Sequence, residues 1–187
     1  MGKDFVLTVM SLDRVGIVSE VAGAVAELGG NIDAISQTVM QGYFTIIITV
    51  HFEEPVEGER LAAAVRESGS AGELEVSVKE RTVLEPAPVV GGGERYILTL
   101  SGPDRRGIIH RICRYLASRN INIDDLYAHC EGSGFMLIAQ IQVPAGLEVE
   151  RLQMDVEGLW PEEQMAASLQ HENIFLATNE VAFRQNV

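Results

Sequence analysis

The sequence predicts an α+β fold built from two ferredoxin-like βαββαβ domains in tandem. Three observations support this prediction: short β-prone runs alternate with amphipathic helices, the segment 13–17 returns as the segment 104–108, and a Pro- and Gly-rich stretch separates the two halves. Because the repeat keeps polar loop residues in register without a gap, we infer that one supersecondary unit was duplicated.

The first half contains six predicted elements in the order βαββαβ. Its first helix has its apolar side chains on one arc and ends at Gly29–Gly30, which suits a helix C-terminus. The second and third strands are joined by Gln41–Gly42, which is a hairpin signal. In chain order, the predicted elements span residues 5–10, 15–28, 31–40, 43–52, 59–68 and 74–78.

A linker is predicted between the two halves. Residues 85–94 combine extended Pro residues with three consecutive Gly residues, a composition typical of a partly flexible connection. The predicted domains are therefore residues 1–84 and 95–187, with the linker at residues 85–94.

The second half follows the first at a constant offset of 91 residues. Its first strand is predicted at residues 96–100, and the match continues through Asn122, the counterpart of Asn31. Beyond the third strand the pattern is weaker. The remaining segments, interpreted as two helices or one interrupted helix and then a final strand, span residues 147–159, 161–169 and 174–177.

The composition is that of a globular protein, with 47% hydrophobic and 22% charged residues and a formal net charge of −13. An acidic chain repels phosphate backbones, so we expect no direct nucleic-acid binding. No apolar run is long enough to span a bilayer, and the two cysteines, Cys113 and Cys130, do not form a disulfide framework. We therefore expect a cytoplasmic protein that does not bind membranes.

The repeated strand-to-helix junction is the main candidate for a binding site. A helix that begins there directs unpaired backbone N–H groups and the positive end of its dipole into one small space, which suits a carboxylate. Asp13 and Asp104 are interpreted as helix N-caps in preference to ligand contacts. Gly16 and Gly107 either admit the backbone of a ligand or allow the helix to pack closely on the sheet.

An asparagine opens the second strand of each half, at Asn31 and Asn122. Its amide offers two donors and an acceptor, which suits both the carboxylate and the ammonium of an amino acid. The same side chain could instead bond to its own backbone at the turn, and the two interpretations weigh equally.

The first helix of the second half is unusually basic. A solvated helix face is favoured over a docking surface for an acidic protein or ligand. The arginines in this region are Arg105, Arg106, Arg111, Arg114 and Arg119. The first helix of the chain instead carries small residues on one face, which indicates either close packing across an interface or an exposed face. The matched positions are Ser19, Gly23 and Ala26 in the first half and His110, Arg114 and Ala117 in the second.

Four side chains raise the question of a metal site or of Cys–His catalysis: His110, Cys113, His129 and Cys130. Adjacent residues of a strand point to opposite faces, so only one of His129 and Cys130 can contribute to a single site. Cys113 borders the apolar arc of its helix and is interpreted as a core residue. We therefore expect no metal site and no catalytic residue.

A strand, the sequence Asp-Arg-x-Gly-Ile, an amphipathic helix and Asn-Ile at the next strand resemble an ACT domain, and this pattern occurs twice. The resemblance implies a non-enzymatic regulatory protein without a cofactor, in which a small amino acid of the glycine or serine class binds between two ACT units. It also implies a homodimer that controls amino-acid metabolism through a protein partner. Carried over to this chain, the implied ligand-binding positions are Asp13, Arg14, Gly16, Ile17, Asn31, Ile32, Asp104, Arg105, Gly107, Ile108, Asn122 and Ile123. The alternatives are an interaction module that binds no small molecule and a small metal- or Cys/His-dependent enzyme.

Overall fold

The chain folds into two compact units, residues 1–84 and 85–187. The computed structural model describes residues 2–81, 93–160 and 164–175. Within these residues, each unit has a four-stranded antiparallel sheet and two helices, which confirms the predicted α+β fold. In the described part of the chain, no helix combines the length and apolarity needed to span a bilayer.

The first unit has the strand order β2-β3-β1-β4. Burial alternates along its central strands, so that Phe5, Leu7 and Val9 lie in the core while the residues between them face away from it. α1 and α2 cover the buried face of the sheet. The elements are β1 (Lys3–Leu12), α1 (Ile17–Glu27), β2 (Gly30–Met40), β3 (Tyr43–Phe52), α2 (Gly58–Ser68) and β4 (Glu75–Glu80).

The second unit repeats this topology in the order β6-β7-β5-β8. Its core has the same composition of aliphatic side chains from alternate strand positions, together with Trp160 from the segment after its second helix. The elements are β5 (Glu94–Pro103), α3 (Ile108–Ser118), β6 (Asn122–Glu131), β7 (Gly134–Val143), α4 (Val149–Glu157) and β8 (Ala166–His171).

The last strand of the second unit differs from the prediction. β8 begins 91 residues after β4, so the offset of the repeat persists to the last strand. The strand predicted at 174–177 is therefore wrong, because residues 174–175 lie in a helical turn and residues 176–177 lie outside the described residues. A helix over 161–169 is also wrong in its described part. Alternate side chains of β8, including Ala167 and Leu169, pack against the core, and this periodicity of two requires a strand.

The predicted linker falls mostly outside the described residues. Residues 85–92 are not described, and Glu94, the last residue of that segment, already belongs to β5. The domain limits at residues 84 and 95 therefore remain predictions.

Two glycines of the first unit provide a matched test of its packing. A Cβ at Gly23, inside α1, would meet no atom within 4 Å, whereas a Cβ at Gly30 would lie 2.7 Å from the Phe52 ring and 2.9 Å from Val25 Cγ1. We expect Gly23→Ala to raise the free energy of unfolding by about 0.5–1 kcal/mol, because alanine favours the helix. Gly30→Ala should lower it by about 1–3 kcal/mol through overpacking. Chemical denaturation measures both changes, and equal effects of the two substitutions would contradict the packing described.

Candidate functional site

The repeated junctions begin their helices at a glycine. Gly16 is the N-cap of α1 with φ 101°, and Gly107 is the N-cap of α3 with φ 87°. L-residues with a Cβ rarely adopt this left-handed conformation, so the backbone itself requires glycine at both positions. A Cβ at Gly107 would meet nothing within 4 Å, which excludes close helix–sheet packing as the reason for that glycine.

The N-cap interpretation of the two aspartates is wrong. Asp13 and Asp104 lie three residues before the glycine caps, and neither helix has a side-chain cap hydrogen bond. Their backbones are anchored instead. The Asp13 N–H donates to the Gly42 carbonyl over 2.8 Å, and the Asp104 N–H donates to the Ser133 carbonyl over 2.8 Å. Both aspartates are exposed, and each loop is held against the hairpin of its own sheet.

Each junction leaves three backbone donors without an intrahelical partner. The first helical bonds run from the Glu20 N–H to the Gly16 carbonyl and from the Arg111 N–H to the Gly107 carbonyl. The N–H groups of residues 17–19 and 108–110 therefore precede the helical ladder. Together with the helix dipole they make the start of each helix attractive to an anion.

In the first unit, the arginine next to the helix start is paired with the protein's own carboxylates. Arg14 donates through Nη1 and Nη2 to the two Glu20 oxygens over 2.9 and 2.6 Å. On its other side it donates through Nη2 to Glu73 Oε2 over 3.1 Å and through Nε to Glu73 Oε1. The Ser70 N–H also donates to Glu73 over 2.9 Å. The guanidinium is thus engaged by two carboxylates in paired hydrogen bonds, which is the strongest geometry available to it.

The pKa values of these groups follow from the pairing. Arg14, with a smaller contribution from the Ser70 N–H, lowers the pKa of Glu73 to about 2. Arg14 also lowers the pKa of Glu20, and Glu20 followed by Glu73 raises the pKa of Arg14. All three groups are charged at neutral pH, and an added carboxylate would have to displace an existing one to reach Arg14.

In the second unit, no carboxylate of the described residues pairs with the matching arginine. The offset of 91 residues places Arg111 where the first unit has Glu20 and Gln164 where it has Glu73. Arg105, the counterpart of Arg14, is exposed and has no carboxylate partner in the described part of the chain. Arg111 donates to the Leu159 carbonyl over 3.1 Å. The two units therefore share a backbone but differ in the charge available at the start of the helix.

The isoleucines implied by the family resemblance contribute to the cores. Ile17 and Ile108 are buried in the first turn of their helices, and Ile32 and Ile123 are partly buried and pack against the same clusters. Their side chains fix the start of the helix and of the second strand onto the sheet. Polar residues near these isoleucines in the sequence, Asp13, Asn31, Asp104 and Asn122 among them, are at the surface.

The asparagines lie at the other end of each sheet. Asn31 is opposite His51, which is opposite Asp4 near the beginning of β1. From Asp4 to the loop at Asp13 the strand advances nine residues, or about 30 Å. The separation is the same in the second unit, where Asn122 is opposite Gln142 and Gln142 opposite Arg95. A small amino acid at the start of α1 or α3 is out of reach of the asparagine of its own unit.

The asparagine amides do not bond to their own backbone in the predicted manner. Asn31 Nδ2 donates to Asp33 Oδ1 over 3.3 Å, and Asn122 Nδ2 donates to Asp124 Oδ1 over 2.7 Å. Both pairs are exposed and lie beside a bulge of the edge strand. Each amide is thus oriented by a carboxylate two residues further along the strand.

The two cysteines lie in different surroundings. Cys113 packs against the core of the second unit, as predicted, and burial raises the pKa of its thiol. Partial desolvation and then the nearby Asp104 carboxylate raise the pKa of Cys130. Neither thiol is activated as a nucleophile. Within residues 2–81, 93–160 and 164–175, no three His, Cys, Asp or Glu side chains group in a way that could hold a metal ion.

Sequence reasoning did not identify Glu20 and Glu73 as part of the first junction. Glu73 lies 59 residues after Arg14, and no local pattern links them. The repeat does contain the signal, because both acidic residues are replaced by non-acidic ones at the matched positions of the second unit. A position-by-position comparison of the two halves, extended to the last strand, would have found the difference.

Comparison with known proteins supports the resemblance noted from the sequence. The ACT domain model matches residues 5–69 and 96–147. A UPF0237 protein of Streptococcus pneumoniae is 35% identical over 80 residues, which cover 43% of this chain and 91% of the relative. A UPF0237 protein of Methanosarcina acetivorans is 42% identical over 82 residues, which cover 42% of this chain and 87% of the relative. Each relative corresponds in length to about one unit.

Two solved structures are similar in fold over most of the chain. One is an unknown protein from Galdieria sulphuraria, with a TM-score of 0.73 and 21% identity, covering 91% of this chain and 99% of that chain. The other is a candidate glycine cleavage system transcriptional repressor, with a TM-score of 0.68 and 20% identity, covering 91% of this chain and 97% of that chain. At this identity the likeness shows a shared tandem fold.

The Arg14–Glu73 pair predicts a defined pH dependence. Because the folded pKa of Glu73, about 2, is below its ordinary value of 4.5, the pair stabilises the fold above pH 4.5 and loses this effect as the pH falls toward 2. We expect Glu73→Gln to be less stable than the wild type at neutral pH, and the difference to shrink through this window. Urea unfolding followed by circular dichroism at several pH values measures it.

The matched control for that experiment is Glu54→Gln, which removes an exposed carboxylate without an ion pair among the described residues. Its stability relative to the wild type should not change in the same way with pH. If the two variants had parallel pH profiles, Arg14 would not hold Glu73 as described.

Proposed function

The chain belongs to the ACT domain family, and on that basis we propose that it is a non-enzymatic regulatory protein that binds a small amino acid in its second unit. Binding would then alter the affinity of the protein for a partner that controls amino-acid metabolism. The observation that supports this most directly is Arg105, an exposed arginine in the loop that leads into α3, whose first N–H groups have no intrahelical partner.

The second junction has the charges that a zwitterion needs. Arg105 and the N–H groups of residues 108–110 would bind the carboxylate of the amino acid. The exposed Asp104 carboxylate, adjacent in sequence, would bind its ammonium group. Glycine and serine are the first ligands to test, because their side chains make the smallest demand on space and one protein of similar fold is a candidate glycine cleavage system transcriptional repressor.

The first unit is proposed to act as a scaffold. Its arginine already binds two carboxylates, and a free amino acid would have to compete with groups held at high effective concentration in the same chain. Glu73 also ties the loop before β4 to the start of α1, so that displacing it would loosen the unit. A single ligand per chain is therefore expected.

We also expect a homodimer. Since Asn122 is about 30 Å from the junction of its own unit along the strand, an asparagine that contacts the ligand would come from another ACT unit, and we propose that this unit belongs to a second copy. A ligand that touches both copies would bind one arrangement of them more tightly than another, and this difference in affinity is what a partner protein would sense. We propose no direct contact with nucleic acid or membranes.

The test uses isothermal titration calorimetry of the full chain against each of the twenty amino acids. We expect one site per chain and a preference for glycine or serine. Arg105→Met should abolish the heat of binding, since it removes the charge-assisted bonds to the carboxylate. The matched substitution in the first unit, Arg14→Met, should lower stability and leave ligand affinity within about twofold.

Two results would contradict the proposal. If none of the amino acids bound, the chain would fit the alternative of an interaction module without a small-molecule ligand. If Arg14→Met removed binding and Arg105→Met did not, the occupied junction of the first unit would be the ligand site.

A further inference from the structure

A groove runs between the two helices of the first unit. It has a volume of about 480 Å³ and is lined by small residues: Ser19, Gly23 and Ala24 from α1 and Ala64 and Ser68 from α2. A Cβ added at Gly23 would meet no atom within 4 Å, so the space beside this part of α1 is open. Small residues along both walls would let another helix approach closely.

The charge of this groove is negative. Glu27 and Glu67 line it and are exposed, and neither forms an ion pair with the described residues. Glu20 also lines the groove but is paired with Arg14. The sequence contains no Lys or Arg between Val15 and Glu59, so α1 cannot neutralise these carboxylates with its own side chains.

The corresponding face of α3 has the opposite charge. His110 and Arg114 are exposed and lie four residues apart on one side of α3, and Arg106 is exposed in the turn two residues before the helix begins. The segment 105–119 contains five arginines and no acidic residue. These three residues define the basic face of α3. They lie at the repeat positions that Val15, Ser19 and Gly23 occupy in the first unit.

We propose that the basic face of α3 docks into the groove between α1 and α2 of a second copy of this chain. The dimensions agree: α3 has 11 residues and is about 16 Å long, and the α1 wall from Ser19 to Leu28 is about 14 Å long. Arginine side chains would reach Glu27 and Glu67 while the small residues admit the helix.

The charge pattern identifies a second copy as the occupant. Chains with a net charge of −13 repel each other unless a basic patch on one meets an acidic patch on the other. Every chain carries both surfaces, so each of two copies can offer its basic face to the groove of the other. The inference does not depend on the ligand site, because Arg105 and Gly107 are not part of it.

The test is a charge exchange followed by sedimentation equilibrium. Arg106→Glu/Arg114→Glu leaves an acidic helix facing an acidic groove, and Glu27→Arg/Glu67→Arg leaves a basic groove facing a basic helix. Each variant alone should be a monomer. An equimolar mixture should dimerise, because both contacts of the mixed dimer join opposite charges. The dissociation constant of the wild type should rise about tenfold or more between low salt and about 0.5 M salt.

A substitution without a change of charge tests the groove itself. Gly23→Gln introduces a better helix former and fills the open space, so we expect it to weaken the dimer without destabilising α1. Ala26→Gln, on the exposed side of α1 outside the groove lining, is the matched control and should leave the dimer unchanged. Arg60→Glu/Arg151→Glu controls for net charge, because both arginines are exposed and lie elsewhere.

The proposal is overturned if the wild type is a monomer at all accessible concentrations, or if either reversed variant dimerises like the wild type. It is also overturned if the mixture of folded reversed variants remains monomeric. Circular dichroism melts of each variant separate loss of association from loss of fold.

Discussion

Each unit depends on burying one face of a four-stranded antiparallel sheet beneath two helices. The chain that leaves the first strand must turn back over this sheet within a few residues, and Gly16 and Gly107 allow the turn by adopting positive φ. An isoleucine directly after the glycine is buried in the core and fixes the start of the helix. The unpaired N–H groups at the helix start are thus a consequence of the fold, whether or not a ligand uses them.

The duplicated units show how one backbone can serve two purposes. In the first, Arg14 forms ion pairs with Glu20 in α1 and with Glu73 in the loop before β4. These ion pairs connect the two segments and stabilise the unit. In the second, Arg111 and Gln164 replace the two acids, and Arg105 remains at the surface. Divergence has altered the side chains that surround the helix start while the hydrogen bond from the aspartate N–H to the hairpin is the same in both units.

Charge segregation extends beyond the junctions. The chain is strongly acidic, yet the region around α3 concentrates five arginines, and α1 carries none. The small residues of α1 and the bulky basic residues of α3 occupy equivalent places in the repeat. Two units with the same fold therefore present two different surfaces in one protein. This difference allows the surface of one unit to bind the surface of the other in a second copy.

The sequence by itself determined the fold, because periodic apolar residues, the glycine at the turn and the repeat offset are local features. It also identified the junction and the small and basic helix faces. It did not locate the last strand, since Ala166–His171 has lost the strong apolar pattern of its counterpart, although the offset of 91 residues points to it. Only the tertiary structure decided that Arg14 is paired with two carboxylates, that Arg105 has no carboxylate partner among the described residues, and that the asparagines lie at the far end of the sheet. These facts depend on which side chains, far apart in the sequence, the folded sheet brings together or keeps apart. A pattern of neighbouring residues does not contain that information.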